Sequence, residues 1–228
     1  MTRQFLIIDA DDTLWENNIY FESAFEEFVD FLDHSRLSPR EVRDVLDEIE
    51  RTNNQIHGYG SLNFGRNLRQ CYEHLTEREI REEDLATVMG FARRILERPM
   101  EVIAGVAETL EYLAPRHDLT LFTKGHPEEQ KLKIDRSGLG GYFAHTAIVK
   151  EKHAGAYREL VRDRGMDPAR TWMIGNSPKS DVNPALEAGL NAVFVPHQHT
   201  WVLEKQEIVP GDGRLLVLER FEELRERF

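Results

Sequence analysis

The chain has 228 residues, of which 40% are hydrophobic and 31% are charged, so it can bury a full core as one large domain or as a core with an insertion. It carries 29 Lys and Arg against 41 Asp and Glu, a formal charge of -12. Because such a field repels nucleic acid and anionic lipid headgroups, we expect neither nucleic acid nor a membrane as a partner. The single cysteine, Cys71, cannot form an intramolecular disulfide, and we interpret it as a buried structural side chain.

The first predicted element is a short buried strand that ends at acidic residues. The apolar run Phe5–Ile8 changes abruptly to Asp9-Ala10-Asp11-Asp12-Thr13, which is typical of a buried parallel strand that leads into a functional loop. The run is too short for a signal peptide, and no stretch approaches the roughly 18 apolar residues of a membrane helix. We therefore expect a cytoplasmic protein.

Residues 17–99 differ from the rest, because their apolar positions recur at helical spacing and no strand pattern interrupts them. Ser38-Pro39 predicts one helix start, and the capping-box spacing of Thr76-Glu77-Arg78-Glu79 predicts another. The apolar stripes of four predicted helices are Phe21, Ala24, Phe25, Phe28 and Phe31; Val42, Val45, Leu46 and Ile49; Phe64, Leu68, Cys71, Tyr72 and Leu75; and Leu85, Val88, Met89, Ala92 and Ile95. The sequence therefore predicts an all-helical cap at 17–99, inserted into a core of residues 1–16 and 100–228.

From about residue 104, predicted helices and strands alternate, which indicates a parallel sheet covered on both faces. The predicted helices are 105–115, 127–136, 155–165 and 182–188, and the predicted strands are 118–123, 146–149, 171–175 and 191–195. A last apolar run at 215–218 leads into a short terminal helix. The predicted fold class is α/β, a doubly wound parallel-sheet core with an inserted all-helical cap.

Polar groups follow four of the predicted strands. Ligands of open parallel sheets bind beyond the carboxyl ends of the strands. The groups at these ends are Asp9 and Asp11, then Thr123-Lys124-Gly125, then Lys150 and Lys152, and then Asn176 with Asp181. Carboxylates combined with a hydroxyl, backbone amides and a lysine suit a metal ion and a phosphate.

Taken in order, Asp9-x-Asp11-x-Thr13-Leu14, Thr123, Lys152 and Gly175-Asn176-x4-Asp181 resemble the four motifs of the haloacid dehalogenase superfamily. The resemblance spans residue 5 to about residue 196, and the helical insertion is similar to the cap that many members carry between the first two motifs. It implies a Rossmann-like core that hydrolyses a small phosphate ester with the help of Mg²⁺.

The resemblance and the chemistry together give each group an expected role. A carboxylate such as Asp9 can attack phosphorus and form an aspartyl-phosphate if a metal ion removes the charge repulsion. Asp11, two residues further along an extended chain, would be the general acid and base. We expect the Thr123 hydroxyl and the backbone amides of Lys124 and Gly125 to hold the phosphate oxygens.

Two assignments carry alternatives or departures from the family pattern. Lys152 is expected to balance the charge on the nucleophile and the phosphoryl group, with Lys150 as the alternative one strand repeat earlier. The expected Mg²⁺ ligands are Asp9, the Asp11 backbone carbonyl, Asn176 and Asp181. Asn176 stands where the fourth motif usually begins with an acid, and we predict weaker Mg²⁺ affinity with the chemistry retained.

Two features of the sequence favour a phosphatase over related chemistries. Dehalogenases of the superfamily typically lack the acid at Asp11 and need no Mg²⁺. Phosphonate-cleaving members use a cap lysine, and residues 15–33 contain no lysine. A phosphoryl-transfer mutase that uses the same residues remains an alternative, as does a catalytically silent binding or regulatory protein.

Substrate selection is expected in the cap. The loop at 53–60 is rich in turn formers and polar groups, and we nominate Tyr59 and Arg66 as substrate contacts, although the loop is equally consistent with an ordinary interhelical connection. We interpret His197 and His199 as loop residues, because no further Cys or His completes a metal-ligand set. The expected partner is a small-molecule phosphate ester, and the chain is expected to be a monomer or a homodimer.

Overall fold

The computed structural model describes residues 2–228, which divide into two compact units. One unit runs up to Asn18 and continues with Met100–Phe228, and the other is Ile19–Pro99. We call them the α/β unit and the helical unit. The helical unit covers nearly the same residues as the predicted insertion. Across residues 2–228, no helix combines the length and apolar character needed to cross a membrane.

Nine α-helices and six strands are present among the described residues. The helices are α1 (Asn18–Leu32), α2 (Pro39–His57), α3 (Ser61–Leu75), α4 (Glu82–Arg93), α5 (Val106–Leu113), α6 (Pro127–Ser137), α7 (Ala154–Arg164), α8 (Asn183–Glu187) and α9 (Leu224–Arg227). The strands are β1 (Phe5–Ile8), β2 (Asp118–Lys124), β3 (His145–Val149), β4 (Thr171–Gly175), β5 (Asn191–Phe194) and β6 (Leu215–Val217).

The six strands form one parallel sheet in the order β3-β2-β1-β4-β5-β6. In the register of the sheet, Ile8 at the end of β1 lies opposite Leu121 of β2 and Ile174 of β4. The strand order reverses beside β1, and such a switch point is where ligands of open α/β sheets bind. The predicted α/β fold class is confirmed.

The central strand β1 is buried on both faces, which explains why it is continuously apolar. Successive side chains of β1 point to opposite faces. Leu6 and Ile8 join a core cluster that includes Leu110 of α5, whereas Ile7 joins a second cluster that includes Tyr157 of α7. β1 is thus packed between two apolar clusters, and the acidic loop follows directly from this buried strand.

The predicted elements of the α/β unit are confirmed, with one difference in the fourth helix. The sequence predicts that helix at 182–188, but a π-helical segment begins at Pro178 and runs directly into α8. Ser177 caps it, because its side chain accepts a hydrogen bond from the Ser180 amide, and Pro178 suits the first helical position. Asp181 therefore lies within the helical segment.

The helical unit has its own apolar core, built from the predicted stripes of α1 to α4. The start of α2 is confirmed, since Ser38 and Glu41 form a capping box. The predicted helix start at Thr76 is wrong. Thr76 instead follows the end of α3, where its amide donates to the Tyr72 carbonyl, and α4 begins at Glu82, whose acidic first turn complements the helix dipole.

Candidate active site

Three buried charges meet at the carboxyl edge of the sheet. Asp9 follows β1, and Asp181 lies in the helical segment that follows β4. The Lys152 Nζ donates to Asp9 Oδ1, and it donates to Asp181 Oδ1 at 2.8 Å. Lys150, the alternative considered from the sequence, is exposed. The structure thus brings Lys152, and not Lys150, to the expected nucleophile.

The charge of Lys152 is maintained by its two acidic neighbours. Burial alone would lower the pKa of Lys152, but the charges of Asp181 and Asp9 outweigh it and raise the pKa above its ordinary value. Burial also raises the pKa of Asp181, and the nearby Asp9 charge adds to that shift. One lysine between two carboxylates leaves the cluster able to accept a further cation.

Asp181 is held by the loop that follows β4. Its Oδ2 accepts a hydrogen bond of 3.0 Å from the Ser177 amide, while its Oδ1 accepts from Lys152. A Cβ at Gly175 would collide with the Asp181 carboxylate, so only glycine allows this approach. Both oxygens of Asp181, which the sequence predicted to be a metal ligand, are therefore engaged by protein donors.

Two other side-chain oxygens converge on the Thr13 hydroxyl. Thr13 Oγ1 lies 3.0 Å from Asp9 Oδ2 and 3.3 Å from Asn176 Oδ1. The Asn176 Nδ2 donates to Thr200 Oγ1 at 3.0 Å, which turns the amide oxygen towards Thr13. A carboxylate oxygen beside an amide oxygen is a donor set that suits a hard divalent cation.

Asp11 faces a different set of donors, all in the α/β unit. Its Oδ1 accepts from Trp15 Nε1 at 2.8 Å, its Oδ2 accepts from Gln130 Nε2 at 3.0 Å, and Lys133 Nζ lies within 2.8 Å of both oxygens. Burial alone would raise the pKa of Asp11, but the charge and hydrogen bonds of Lys133, together with the other donors, lower it below its ordinary value. The sequence did not indicate Gln130 or Lys133, because both lie more than a hundred residues from Asp11 along the chain.

The segment after β2, expected to hold phosphate, is partly engaged within the protein. The buried Thr123 Oγ1 accepts from Gln130 Nε2 at 2.9 Å. The Gly125 amide donates to the Val149 carbonyl at 3.1 Å, so this expected phosphate donor extends the ladder between β2 and β3. The Lys124 side chain pairs with Glu204, with Nζ 2.5 Å from Oε1.

A second group of possible metal ligands lies in the same unit. Ligand atoms of Asp12, Glu16 and His197 lie within 4.8 Å of one another. Asp12 Oδ1 accepts from the amides of Asn17 and Asn18 at 2.9 and 3.0 Å, and His197 Nε2 lies 3.3 Å from Glu16 Oε1. The sequence interpretation missed this group because it sought Cys and His partners for His197, whereas the neighbours are carboxylates from the first loop.

The two nominated specificity residues lie in the helical unit. Tyr59 is half-buried between α2 and α3, and Arg66 is exposed on α3. Their role therefore stays a prediction.

The fold and this edge of the sheet define a class of protein, namely a doubly wound α/β enzyme core with a buried carboxylate, a charge-balancing lysine and oxygen donors for a cation. Residues 5–189 match the family model of the haloacid dehalogenase-like hydrolases, and the chain belongs to that family. The family expected from the four motifs is thereby confirmed.

Comparison with known proteins supports the same family. A haloacid dehalogenase-like family hydrolase from Xanthomonas campestris is similar over 99% of this chain and 90% of that chain, with a TM-score of 0.85 and 29% identity. A 2-haloacid dehalogenase from Pseudomonas syringae has a TM-score of 0.63 and 19% identity over 99% of this chain and 97% of its own, a likeness that shows the fold alone.

A curated relative matches a shorter segment. Over 82 residues, the chain is 33% identical to the phosphoserine phosphatase of Thermus thermophilus. The match covers 34% of this chain and 33% of that protein, so the chain spans about one third of the length of this relative.

Proposed function

We propose that this hydrolase cleaves a small phosphomonoester through an aspartyl-phosphate intermediate on Asp9, with Mg²⁺ as its cofactor. The observation that carries the proposal is the buried pairing of Asp9 with Lys152 at the switch point of the sheet, with Asp11 two residues further on. A lysine fixed against a buried carboxylate can offset the charge of an incoming phosphate.

The reaction has two steps, and each uses the same two carboxylates. In the first, an Asp9 oxygen bonds to phosphorus, the bond to the leaving oxygen breaks, and Asp11, whose pKa rises when the anionic phosphate binds beside it, gives that oxygen a proton. In the second, Asp11 takes a proton from a water molecule that attacks phosphorus, the bond to Asp9 breaks, and inorganic phosphate leaves. Lys152 stays protonated throughout and balances the negative charge.

The donor atoms around Thr13 fit a Mg²⁺ ion. Asp9 Oδ2 and Asn176 Oδ1 both approach the Thr13 hydroxyl, and we place the Asp11 backbone carbonyl with them as a ligand. The cation would remove the repulsion between the carboxylate and the phosphate. Asp181, the remaining expected ligand, can also orient Lys152, because its Oδ1 accepts a hydrogen bond from the Lys152 Nζ.

Two observations favour a phosphate substrate over a halogenated acid. The curated relative that matches part of the chain is a phosphoserine phosphatase, and the likeness to the Pseudomonas syringae dehalogenase shows the fold alone. Asp11 also supplies the acid that an alkoxide leaving group needs and a halide does not. We assign substrate selection to the helical unit as a cap, with Tyr59 and Arg66 as contacts, in a cytoplasmic monomer or homodimer.

The proposal is tested by phosphate release from p-nitrophenyl phosphate, followed by a phosphometabolite panel that includes phosphoserine. We expect turnover that requires Mg²⁺, disappears with chelator and falls at least about a thousandfold in Asp9→Asn, because the nucleophile is removed. Asp135→Asn, an exposed acid on α6, is the matched control and should retain wild-type rates. A folded wild-type protein without turnover on any substrate would reject the phosphatase function.

A further inference from the structure

Asp11 is contacted by more hydrogen-bond donors than a general acid and base requires, and two of these donors lie on α6. Lys133 Nζ lies 2.8 Å from Asp11 Oδ1 and 2.7 Å from Oδ2, and it also lies 3.0 Å from Asn17 Oδ1. Contact with both carboxylate oxygens fixes the rotation of the carboxylate as well as its distance. The remaining donor to Oδ1, the Trp15 indole, comes from the same loop as Asp11 itself.

Gln130 joins Asp11 to the segment that follows β2. This side chain is 2% exposed, and its Nε2 lies 3.0 Å from Asp11 Oδ2, 2.9 Å from Thr123 Oγ1 and 2.7 Å from the Lys124 carbonyl. A Cβ at Gly125 would lie 3.1 Å from the Gln130 Cγ and Nε2. Gly125 therefore leaves the room that lets the Gln130 amide, with its two N–H groups, lie within hydrogen-bonding distance of these three oxygens.

Gln130 and Lys133 act from one face of one helix. They are three residues apart on α6, so their side chains are neighbours on the helix surface. Lys131, on the same helix, pairs with Asp135 at 3.8 Å and its side chain is 74% exposed, whereas the Lys133 side chain is 16% exposed. An exposed pair such as Lys131–Asp135 contributes little to stability. Lys133, in contrast, is sheltered from solvent and contacts both oxygens of one carboxylate.

We infer that Lys133, supported by Gln130, is a positioning residue for the hydrolase reaction: it holds the Asp11 carboxylate where it can exchange protons with the leaving oxygen and with the attacking water. The inference rests on the proposed function. Lys133 acts through Asp11 and does not contact the substrate, so its removal should lower kcat and leave KM nearly unchanged.

The experiment compares Lys133→Met, Lys133→Arg and the control Lys131→Met on p-nitrophenyl phosphate with saturating Mg²⁺. We expect Lys133→Met to lower kcat by about tenfold or more, a fraction of the 10²–10⁴ that a general acid and base supplies, with KM within about twofold. Lys133→Arg should recover much of the rate because it keeps a cationic donor, and Lys131→Met should behave as wild type.

The outcomes separate this inference from the proposed function. If the wild-type protein turns over and Lys133→Met has an unchanged kcat, the positioning role alone is overturned. The same conclusion follows if KM rises by the factor by which kcat falls. It also follows if Lys133→Arg recovers no rate although this variant unfolds at the same urea concentration as the wild type. Absence of wild-type turnover would overturn the phosphatase function and this role with it. A Lys133→Met/Asp11→Asn double variant no slower than Asp11→Asn would support action through Asp11.

Discussion

Both units of this protein bury acidic side chains, but the groups that contact these carboxylates differ between the two units. In the α/β unit, Lys152 contacts Asp9 and Asp181, and Lys133 contacts Asp11. In the helical unit, Asp47 and Glu50 of α2 are also buried, yet an oxygen of each has no hydrogen-bond partner among the described residues. In the α/β unit, lysines thus offset the charge of the carboxylates that the proposed chemistry uses.

Burial shifts the two acids of α2 towards their uncharged forms. Burial raises the pKa of Glu50 to about 8, although Arg43 opposes the shift, and burial also raises the pKa of Asp47. A carboxyl group with a pKa near 8 is mostly protonated at neutral pH. It can then be buried at less cost than a charge that lacks a partner.

The largest expected effect comes from removing Lys152, which contacts both Asp9 and Asp181. Lys152→Met leaves Asp9 and Asp181 buried beside each other, so we expect turnover to fall at least about a hundredfold and the free energy of unfolding to fall by about 3 kcal/mol. Phosphate release and urea unfolding measure the two effects.

A double variant sharpens that test. Lys152→Met/Asp181→Asn removes one of the two facing charges, so it should regain part of the lost stability while turnover stays low. Wild-type turnover in the single variant, or a double variant less stable than the single one, would contradict the role given to Lys152.

The second effect concerns stability and its dependence on pH. The pKa of Glu50 in the folded chain is about 8, against an ordinary value of 4.5, so between these values the folded chain holds a proton that the unfolded chain releases. Stability therefore falls as pH rises through that window. Glu50→Gln should remove this loss, so its stability advantage should grow by up to about 1.4 kcal/mol per pH unit from pH 4.5 to 8.

Urea unfolding at pH 5.5, 7 and 8.5 measures this difference. Glu48→Gln, whose side chain on the same helix is 72% exposed, serves as the control and should show no such trend. An advantage of Glu50→Gln that is constant with pH would show that Glu50 stays ionised in the folded chain.

The smallest effect is expected at Asn176, one of the proposed oxygen ligands of the cation. Asn176→Asp adds a carboxylate where Asn176 Oδ1 approaches the Thr13 hydroxyl, so the concentration of Mg²⁺ that gives half-maximal turnover should fall several-fold, with kcat nearly unchanged. A titration of activity with Mg²⁺ measures it. If the half-maximal concentration stays the same or rises, the prediction that Asn176 weakens Mg²⁺ affinity relative to an acid is wrong.

Much of the fold could be predicted because its signals are local. The apolar run of β1, its abrupt end at Asp9 and the alternation of elements after residue 104 depend on side-chain periodicity, which the chain carries in itself. Boundaries were less reliable. Thr76 has the spacing of a capping box, but α3 ends there and α4 begins at Glu82, since several helix starts compatible with the local sequence compete until packing selects one.

The sequence by itself determined the class of fold, the family and the strand ends at which the candidate site lies, because period, chain order and the ends of parallel strands fix these without long-range detail. Only the tertiary structure decided which side chains meet there. In that structure Lys152, and not Lys150, contacts Asp9. The Asn176 oxygen faces Thr13, and Lys133 contacts Asp11. Contacts between segments more than a hundred residues apart depend on how helices and strands pack, and no local pattern along the chain records that packing.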